Sequence, residues 1–278
     1  MLTLLMTLAA LAQPSAQIPD APVSMNPRYM EMADSADYYI ERSLWSDAKR
    51  CTVEALRADP ANFGNSLLLS NLGMINLNLD EPQEAVANFS LGLEIAPAST
   101  TLRANRARAY LYINELQKAD DDLRILLERS PSDPWALKMH GIITASSNPE
   151  EGLAVLQRIA EPDDDTRLAM ASLQHRLGHD DEAELIYSAL AEESPTEDVL
   201  QTAAVFHLLK EDYTRAGEEL RRAIELNPRN GNLYLLRAYL HEQCHENSLA
   251  EIDKKMAIEN NADLQLVEAL FPSKKRKK

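Results

Sequence analysis

The segment 241–245, His-Glu-Gln-Cys-His, matches the H-E-x-x-H pattern of zinc hydrolases. On a continuous helix this spacing places two imidazoles one turn apart as zinc ligands, and the glutamate activates a water molecule. A working site also needs a helix that continues past the second histidine and a third protein ligand beyond it. Ser248 and Glu251 occupy the positions of glycine and histidine in the longer form of the signature. Zinc hydrolysis, with Glu251 or Glu268 as third ligand, therefore stays an alternative and not the main hypothesis.

Other groups of ionisable residues offer less chemistry. His175 and His179 have the same spacing of four residues but less of the surrounding pattern. The acidic runs 120–122, 163–165 and 180–182 are expected in or beside turns and at helix N-termini, where the helix dipole favours negative charge. The sequence thus predicts no catalytic residue, no metal site, no cofactor and no enzyme activity.

Composition favours helices over sheets. Of the 278 residues 45% are hydrophobic but only 5% aromatic, and Ala, Leu and Glu recur throughout. The formal net charge is -16 although the five residues 274–278 are all basic. A body this acidic argues against a nucleic-acid-binding surface.

Prolines divide the chain at regular intervals of 31 to 37 residues, and most of them end a fixed ladder of residue types. A small residue is followed by alanine twelve residues later, a bulky residue four further on, an apolar or small residue after three more, and proline after another five. The complete sets are Ala36-Ala48-Thr52-Ala55-Pro60, Gly73-Ala85-Phe89-Gly92-Pro97, Ala107-Ala119-Leu123-Leu126-Pro131, Ala171-Ala183-Tyr187-Leu190-Pro195 and Ala204-Ala216-Leu220-Ala223-Pro228. Small residues let two antiparallel helices approach closely, and proline ends the second of them.

Two further sets are incomplete. The fourth, on Gly141, Leu156 and Pro162, is degenerate, because its second helix is expected to begin early, at Asn148-Pro149. The seventh has Ala238, Ala250 and Ala257 but reaches Ala262 in place of proline. From Asp263, a candidate N-cap, the run Leu264, Val267, Leu270 and Phe271 predicts a short helix that covers the last pair.

This pattern resembles the tetratricopeptide repeat (TPR) family over residues 26–262. The resemblance implies an all-α fold: a right-handed α-solenoid of about seven antiparallel helix pairs, a TPR-like superhelix, with a C-terminal closing helix. The expected organisation is a signal peptide at 1–12, a Pro-rich linker at 13–27, a solenoid at 28–262, a capping helix at 263–271 and a basic tail at 272–278. The repeats are expected near 28–62, 66–99, 100–133, 134–162, 164–196, 197–230 and 231–262.

The repeat register gives several charged residues structural places. Arg106 and Arg237 each precede the small residue of their set by one position, and Asp122 and Asp253 follow them by sixteen. We expect an ion pair between the two helices of each pair. The same register places His241 on the packing face of a first helix and His245 in the turn after it.

The two termini give conflicting signals about localisation. Leu2 to Ala12 is apolar and ends in the small-x-small pattern Ala10-Leu11-Ala12, which predicts a secretory signal and a periplasmic or secreted protein. The basic tail is instead typical of a nuclear signal, and the alternative is a cytoplasmic or nuclear adaptor or co-chaperone. The tail is also suited to weak contact with anionic surfaces.

The resemblance implies that the first helix of each pair lines a concave face, where an extended peptide usually lies. In co-chaperones of this family, side chains from three successive repeats clamp a C-terminal carboxylate. Only Asn71 matches that set when it is aligned with the first three repeats, and only Asn105 when it is moved along by one repeat. The residues proposed to bind a partner are Asn71, Asn78, Asn105, Arg108, Tyr112, Trp135 and Lys138. Amides pair with peptide backbone, and the two cations favour an acidic segment. The alternative is that they are ordinary solvated residues, with Trp135 packed between helices.

The leading hypothesis is therefore a non-enzymatic protein-protein interaction scaffold that is exported and binds a peptide or a partner domain.

Overall fold

The computed structural model describes residues 26–271, and every regular element in that range is an α-helix. The fifteen helices are α1 (Pro27–Glu41), α2 (Trp45–Ala58), α3 (Asn65–Asn78), α4 (Pro82–Ile95), α5 (Thr100–Tyr112), α6 (Leu116–Arg129), α7 (Pro134–Ser147), α8 (Pro149–Leu156), α9 (Asp164–Arg176), α10 (Asp180–Glu193), α11 (Glu197–Leu209), α12 (Tyr213–Leu226), α13 (Gly231–Gln243), α14 (Asn247–Glu259) and α15 (Leu264–Leu270). The predicted signal peptide, the basic tail and most of the linker lie outside the described residues.

Helices that follow each other in the chain pack together as pairs, for example α1 with α2, α3 with α4 and α13 with α14. A short turn joins the two helices of each pair, which makes them antiparallel. In six pairs the turn contains one residue of positive φ, seven positions after the small residue of the ladder: Ser43, Asp80, Asn114, Gly178, Glu211 and His245. The predicted all-α architecture of adjacent helix pairs is confirmed.

The small residues of the ladder are the points of closest approach. Ala48, Ala85 and Ala119 are fully buried, with 0% exposure. At Gly73, an added Cβ would lie 2.4 Å from the Cε1 atom of Phe89, which is itself fully buried. Any larger side chain here would therefore push α3 away from α4.

The fourth pair differs from the others as the sequence predicted. α8 begins at Pro149, directly after the N-cap Asn148, whose side chain accepts a hydrogen bond from the backbone N–H of Glu151 at 3.2 Å. Its contact with α7 is made at Gly152, where a Cβ would lie 2.4 Å from the Cβ of Ala145. α8 ends at Leu156 and is only eight residues long.

The predicted closing helix is present as α15. Asp263 caps it by accepting a hydrogen bond from the backbone N–H of Gln265 at 2.8 Å. The side chains of Val267 and Leu270 pack against a cluster that includes Tyr234 and Leu235 of α13. The apolar face of the last pair is thus covered, as a terminal repeat requires.

The chain forms two compact units that divide after Asn105. Within the described residues, the first unit holds α1 to α4 and the beginning of α5, and the second holds the remainder of α5 and α6 to α15. Across residues 26–271, none of the helices has the length and apolar character needed to cross a membrane.

Candidate functional site

The two predicted Arg–Asp pairs are present and structural. Arg106 binds Asp122 through Nε and Nη2 at 2.7 and 2.8 Å, and Arg237 binds Asp253 with the same two distances. Hydrogen bonding to these buried carboxylates raises the pKa of both arginines, although burial opposes the shift. Each bidentate pair fixes the orientation of a first helix on its second helix.

The H-E-x-x-H segment does not have the geometry of a zinc site. α13 ends at Gln243, and His245 lies in the following turn with φ 63°, so the two imidazoles do not share one helical face. His241 Nδ1 lies 2.6 Å from a carboxylate oxygen of Glu246, and Nε2 lies 3.5 Å from Asp253. The predicted places of both histidines are confirmed. Within residues 26–271, no three His, Cys, Asp or Glu residues are grouped to hold a metal.

His175 and His179 also have local partners. The Nδ1 atom of His175 lies 2.7 Å from Asp180, and the Nδ1 atom of His179 lies 2.8 Å from the side-chain oxygen of Gln174. Both contacts span the turn between α9 and α10. These histidines therefore connect the two helices of the fifth pair.

Two of the three acidic runs stand at helix N-termini, as predicted. The runs 163–165 and 180–182 begin α9 and α10. Asp163 accepts hydrogen bonds from the hydroxyl and the backbone N–H of Thr166, and the hydroxyl contributes most to a pKa below the usual value for aspartate. These carboxylates stabilise the helix starts.

The prediction for the run 120–122 is wrong. α6 begins at Leu116, so this run lies inside the helix and not at its N-terminus. Asp120 Oδ1 lies 2.5 Å from Nδ1 of His140 on α7, and Asp122 is buried in its ion pair. Contacts with His140 and Arg106 on neighbouring helices explain why Asp120 and Asp122 lie in the middle of α6 and not at its start.

The predicted partner-binding residues of the first unit lie on α3 and α5. Asn71 Nδ2 donates to Oδ1 of Asp37 on α1 at 3.4 Å, and Asn78 Nδ2 donates to the backbone carbonyl of Met74 at 2.9 Å. Asn105 is half-buried on α5. The Asn71 contact shows that α1 and α3 present neighbouring surfaces.

The predicted residues of the second unit form an aromatic and cationic cluster. The Arg108 guanidinium lies 4.1 Å from the ring centroid of Trp135, and Tyr112, one turn along α5, is 65% exposed. Lys138 Nζ donates to both carboxylate oxygens of Asp163 at 3.0 Å and lies 3.4 Å from Asp165. The positive charge of Lys138 is therefore already compensated by the acidic run at the start of α9.

Trp135 opens onto a cavity of about 350 Å³. Its walls combine the apolar side chains of Met139 and Ile159 with the Lys138–Asp163 pair. Such a mixture of apolar surface and a few polar groups is typical of a small recognition pocket.

Sequence reasoning missed a second surface in the first unit. On α1, Met30, Asp34, Asp37 and Glu41 follow one another at spacings of four, three and four residues, which places them in one stripe. α3 repeats this spacing with Leu67, Asn71, Met74 and Asn78. Met30, Leu67 and Met74 are 37%, 66% and 41% exposed. The spacing shared by α1 and α3 is the sequence signal for this surface, and the predicted binding residues include only its asparagines.

Sequence comparison matches one segment of the chain to a known family. Residues 198–230, which include all of α11 except Glu197 and the whole of α12, match the family model described as tetratricopeptide repeat. A search of curated proteins finds no sequence match.

Similar solved structures share the fold over most of the described chain. A tetratricopeptide repeat protein from Parabacteroides merdae superimposes with a TM-score of 0.71 at 25% identity, covering 87% of this chain and 97% of the other. YrrB, described as a TPR protein with an unusual peptide-binding site, gives 0.52 at 22% identity, covering 72% and 96%. MamA from Desulfovibrio magneticus gives 0.56 at 17% identity, covering 61% and 96%. The chain has the fold of tetratricopeptide repeat proteins.

Proposed function

The chain is a tetratricopeptide repeat protein, and we propose that it is a non-enzymatic scaffold that binds an extended segment or a domain of another protein. The observation that carries this proposal is the stacking of Arg108 on Trp135, which lines the cavity at α7, with exposed Tyr112 one turn from Arg108 on α5. Aromatic and arginine side chains dominate the binding energy of many protein interfaces. The peptide-binding site described for YrrB supports the same class of function.

The cluster suits an anchor residue of the partner. Trp135, Met139 and Ile159 supply apolar surface for an inserted side chain, and the stacked Arg108 fixes the position of the indole ring. Exposed Tyr112 offers a large amphipathic surface at small entropic cost. Because Asp163 and Asp165 compensate Lys138, the cavity does not require an acidic ligand.

Replacing both Arg108 and Tyr112 with alanine should weaken partner binding by about tenfold or more, because interface anchors cost over ~1 kcal/mol each when truncated. The partner is first identified by affinity capture on the full chain, and its affinity for wild type and variant is then measured by calorimetry. Phe63→Ala is the matched control, because this aromatic residue is 76% exposed in the turn before α3. Equal affinities of the double variant and the control would reject this surface.

Export is the second part of the proposal, and it is supported by the apolar run from Leu2 to Ala12. The expected mature protein begins at Gln13, after the pattern Ala10-Leu11-Ala12. Mass spectrometry of the N-terminus of the natively expressed protein measures this directly. An intact Met1 would contradict export and favour the adaptor inside the cell that the basic tail indicates.

A further inference from the structure

The first unit carries two adjacent stripes of different chemistry. The α1 stripe is acidic after Met30, and the α3 stripe places Asn71 between the exposed apolar side chains of Leu67 and Met74. The 3.4 Å contact from Asn71 to Asp37 joins the stripes side by side. We name this surface the acidic–apolar face, defined by Met30, Asp34, Asp37, Leu67, Asn71 and Met74.

The carboxylates of this face lack compensating cations. Within residues 26–105, no Lys or Arg nitrogen lies within 4 Å of Asp34 or Asp37, whereas Arg28 pairs with Glu31 and Glu54 elsewhere. Burial, and then the charges of Asp34 and Glu41, raise the pKa of Asp37 above the usual aspartate value. Like charges are therefore held close together, and an added cation would relieve their repulsion.

We propose that the acidic–apolar face is a docking surface for a partner segment that carries lysine or arginine side chains together with apolar ones. The assignment rests on the proposed scaffold function and specifies the class of partner for the first unit. The basic side chains would lie over Asp34 and Asp37, and the apolar ones would cover Leu67 and Met74. The amide of Asn71 lies between these two regions and is suited to contact with peptide backbone.

Other occupants fit less well. An acidic segment would place further negative charge beside Asp34 and Asp37. A second copy of the chain, related by a two-fold axis, would present this same face, which has no Lys or Arg to pair with Asp34 and Asp37. The chain's own segment 274–278 supplies lysine and arginine but no apolar side chain for Leu67 and Met74.

The test measures binding of labelled synthetic peptides to the full chain by fluorescence anisotropy. Three peptides of equal length alternate leucine with lysine, leucine with glutamate, or glycine with lysine. We expect the leucine–lysine peptide to bind at least about tenfold more tightly than either of the others, because only it matches both stripes. Its affinity should also fall as salt is added.

Variants of the chain distinguish peptide binding at the acidic–apolar face from nonspecific attraction of a basic peptide to an acidic protein. Asp34→Asn with Asp37→Asn should weaken binding of the leucine–lysine peptide about tenfold, since two charge pairs with the peptide are lost together. The matched control is Glu84→Gln with Glu94→Gln, which removes the same charge from exposed positions on α4 and should change affinity less than about twofold. Leu67→Ser with Met74→Ser removes the apolar half, and circular dichroism checks the fold of each variant.

Three results would overturn the inference. The first is an equal loss in the aspartate and glutamate variants, and the second is equal binding of the leucine–glutamate peptide. The third is peptide binding that occurs only after the lysines of 274–278 are replaced by glutamine, which would make the chain's own tail the occupant. In each case, partner capture that still depends on Arg108 and Tyr112 leaves the scaffold function intact. A wild-type chain that captures no partner would contradict that function itself.

Discussion

Replacing Arg237 with leucine should lower the free energy of unfolding by about 3 kcal/mol. The substitution removes two hydrogen bonds of 2.7 and 2.8 Å from Asp253, which is 3% exposed and would become a buried carboxylate without its main partner. The pair also orients α13 on α14, so the loss should reach the closing helix packed against them. Urea denaturation followed by circular dichroism measures the change.

The double variant Arg237→Leu with Asp253→Leu should recover most of this loss, because a buried ion pair replaced by apolar residues is often neutral in stability. Arg221→Leu is the matched control, since among residues 26–271 Arg221 pairs only with Glu218 and Glu225 on the exposed surface of its own helix. Its expected cost is below about 1 kcal/mol. Equal losses for Arg237→Leu and Arg221→Leu would show that the buried pair has no special structural role.

Gly73→Ala should destabilise the first unit by about 2 kcal/mol, although alanine is the better helix former. The new methyl group would lie 2.4 to 2.7 Å from three ring atoms of Phe89. That ring is fully buried, so either the ring or the two helices must shift to make room for the methyl group. Thermal unfolding of the full chain measures the effect.

Gly217→Ala provides the comparison that isolates the steric cost. Gly217 also lies inside a helix, but its added Cβ would be 3.7 Å from Leu240 Cδ1, an ordinary contact distance. This variant should gain up to about 1 kcal/mol from helix propensity alone. A similar gain for Gly73→Ala would mean that α3 and α4 are not held at the close distance described.

Much of the fold could be predicted because the repeat depends on residue volume. Gly73 and Ala85 permit close helix contact, and proline marks the end of a second helix, so spacing alone located the pairs. The Arg–Asp pairs were also predictable, because residues sixteen apart face each other across the two helices of a regular pair. Short-range rules sufficed wherever the repeat was regular.

Other features depend on packing that spacing does not encode. Ser43, Glu211 and His245 adopt positive φ in their turns although glycine or asparagine is the usual choice. Their strain of about 1 kcal/mol each is offset by the packing of the helices on either side. Residue type gave no signal for these turns.

The candidate site was only partly predictable for the same reason. Trp135 and Arg108 remain predicted partner-binding residues. The pairing of Lys138 with Asp163 spans 25 residues across the shortened α8 and was not predicted. Because the fourth pair departs from the repeat spacing, its long-range contacts could not be predicted from the other repeats. The exposed stripe on α1 was missed because its aspartates resemble ordinary solvated residues.

The closing helix has a consequence for how this protein is cut and joined in the laboratory. A truncation before Asp263 would remove α15 and expose the apolar surface around Tyr234 and Leu235, which favours aggregation. A truncation after Phe271 would leave α15 in place. Fusion of a reporter after Phe271 should therefore leave the packing of α15 on the last helix pair unchanged. Additional engineered repeats would have to be inserted before α15. Designers who want a longer array should add them before this helix and keep it last.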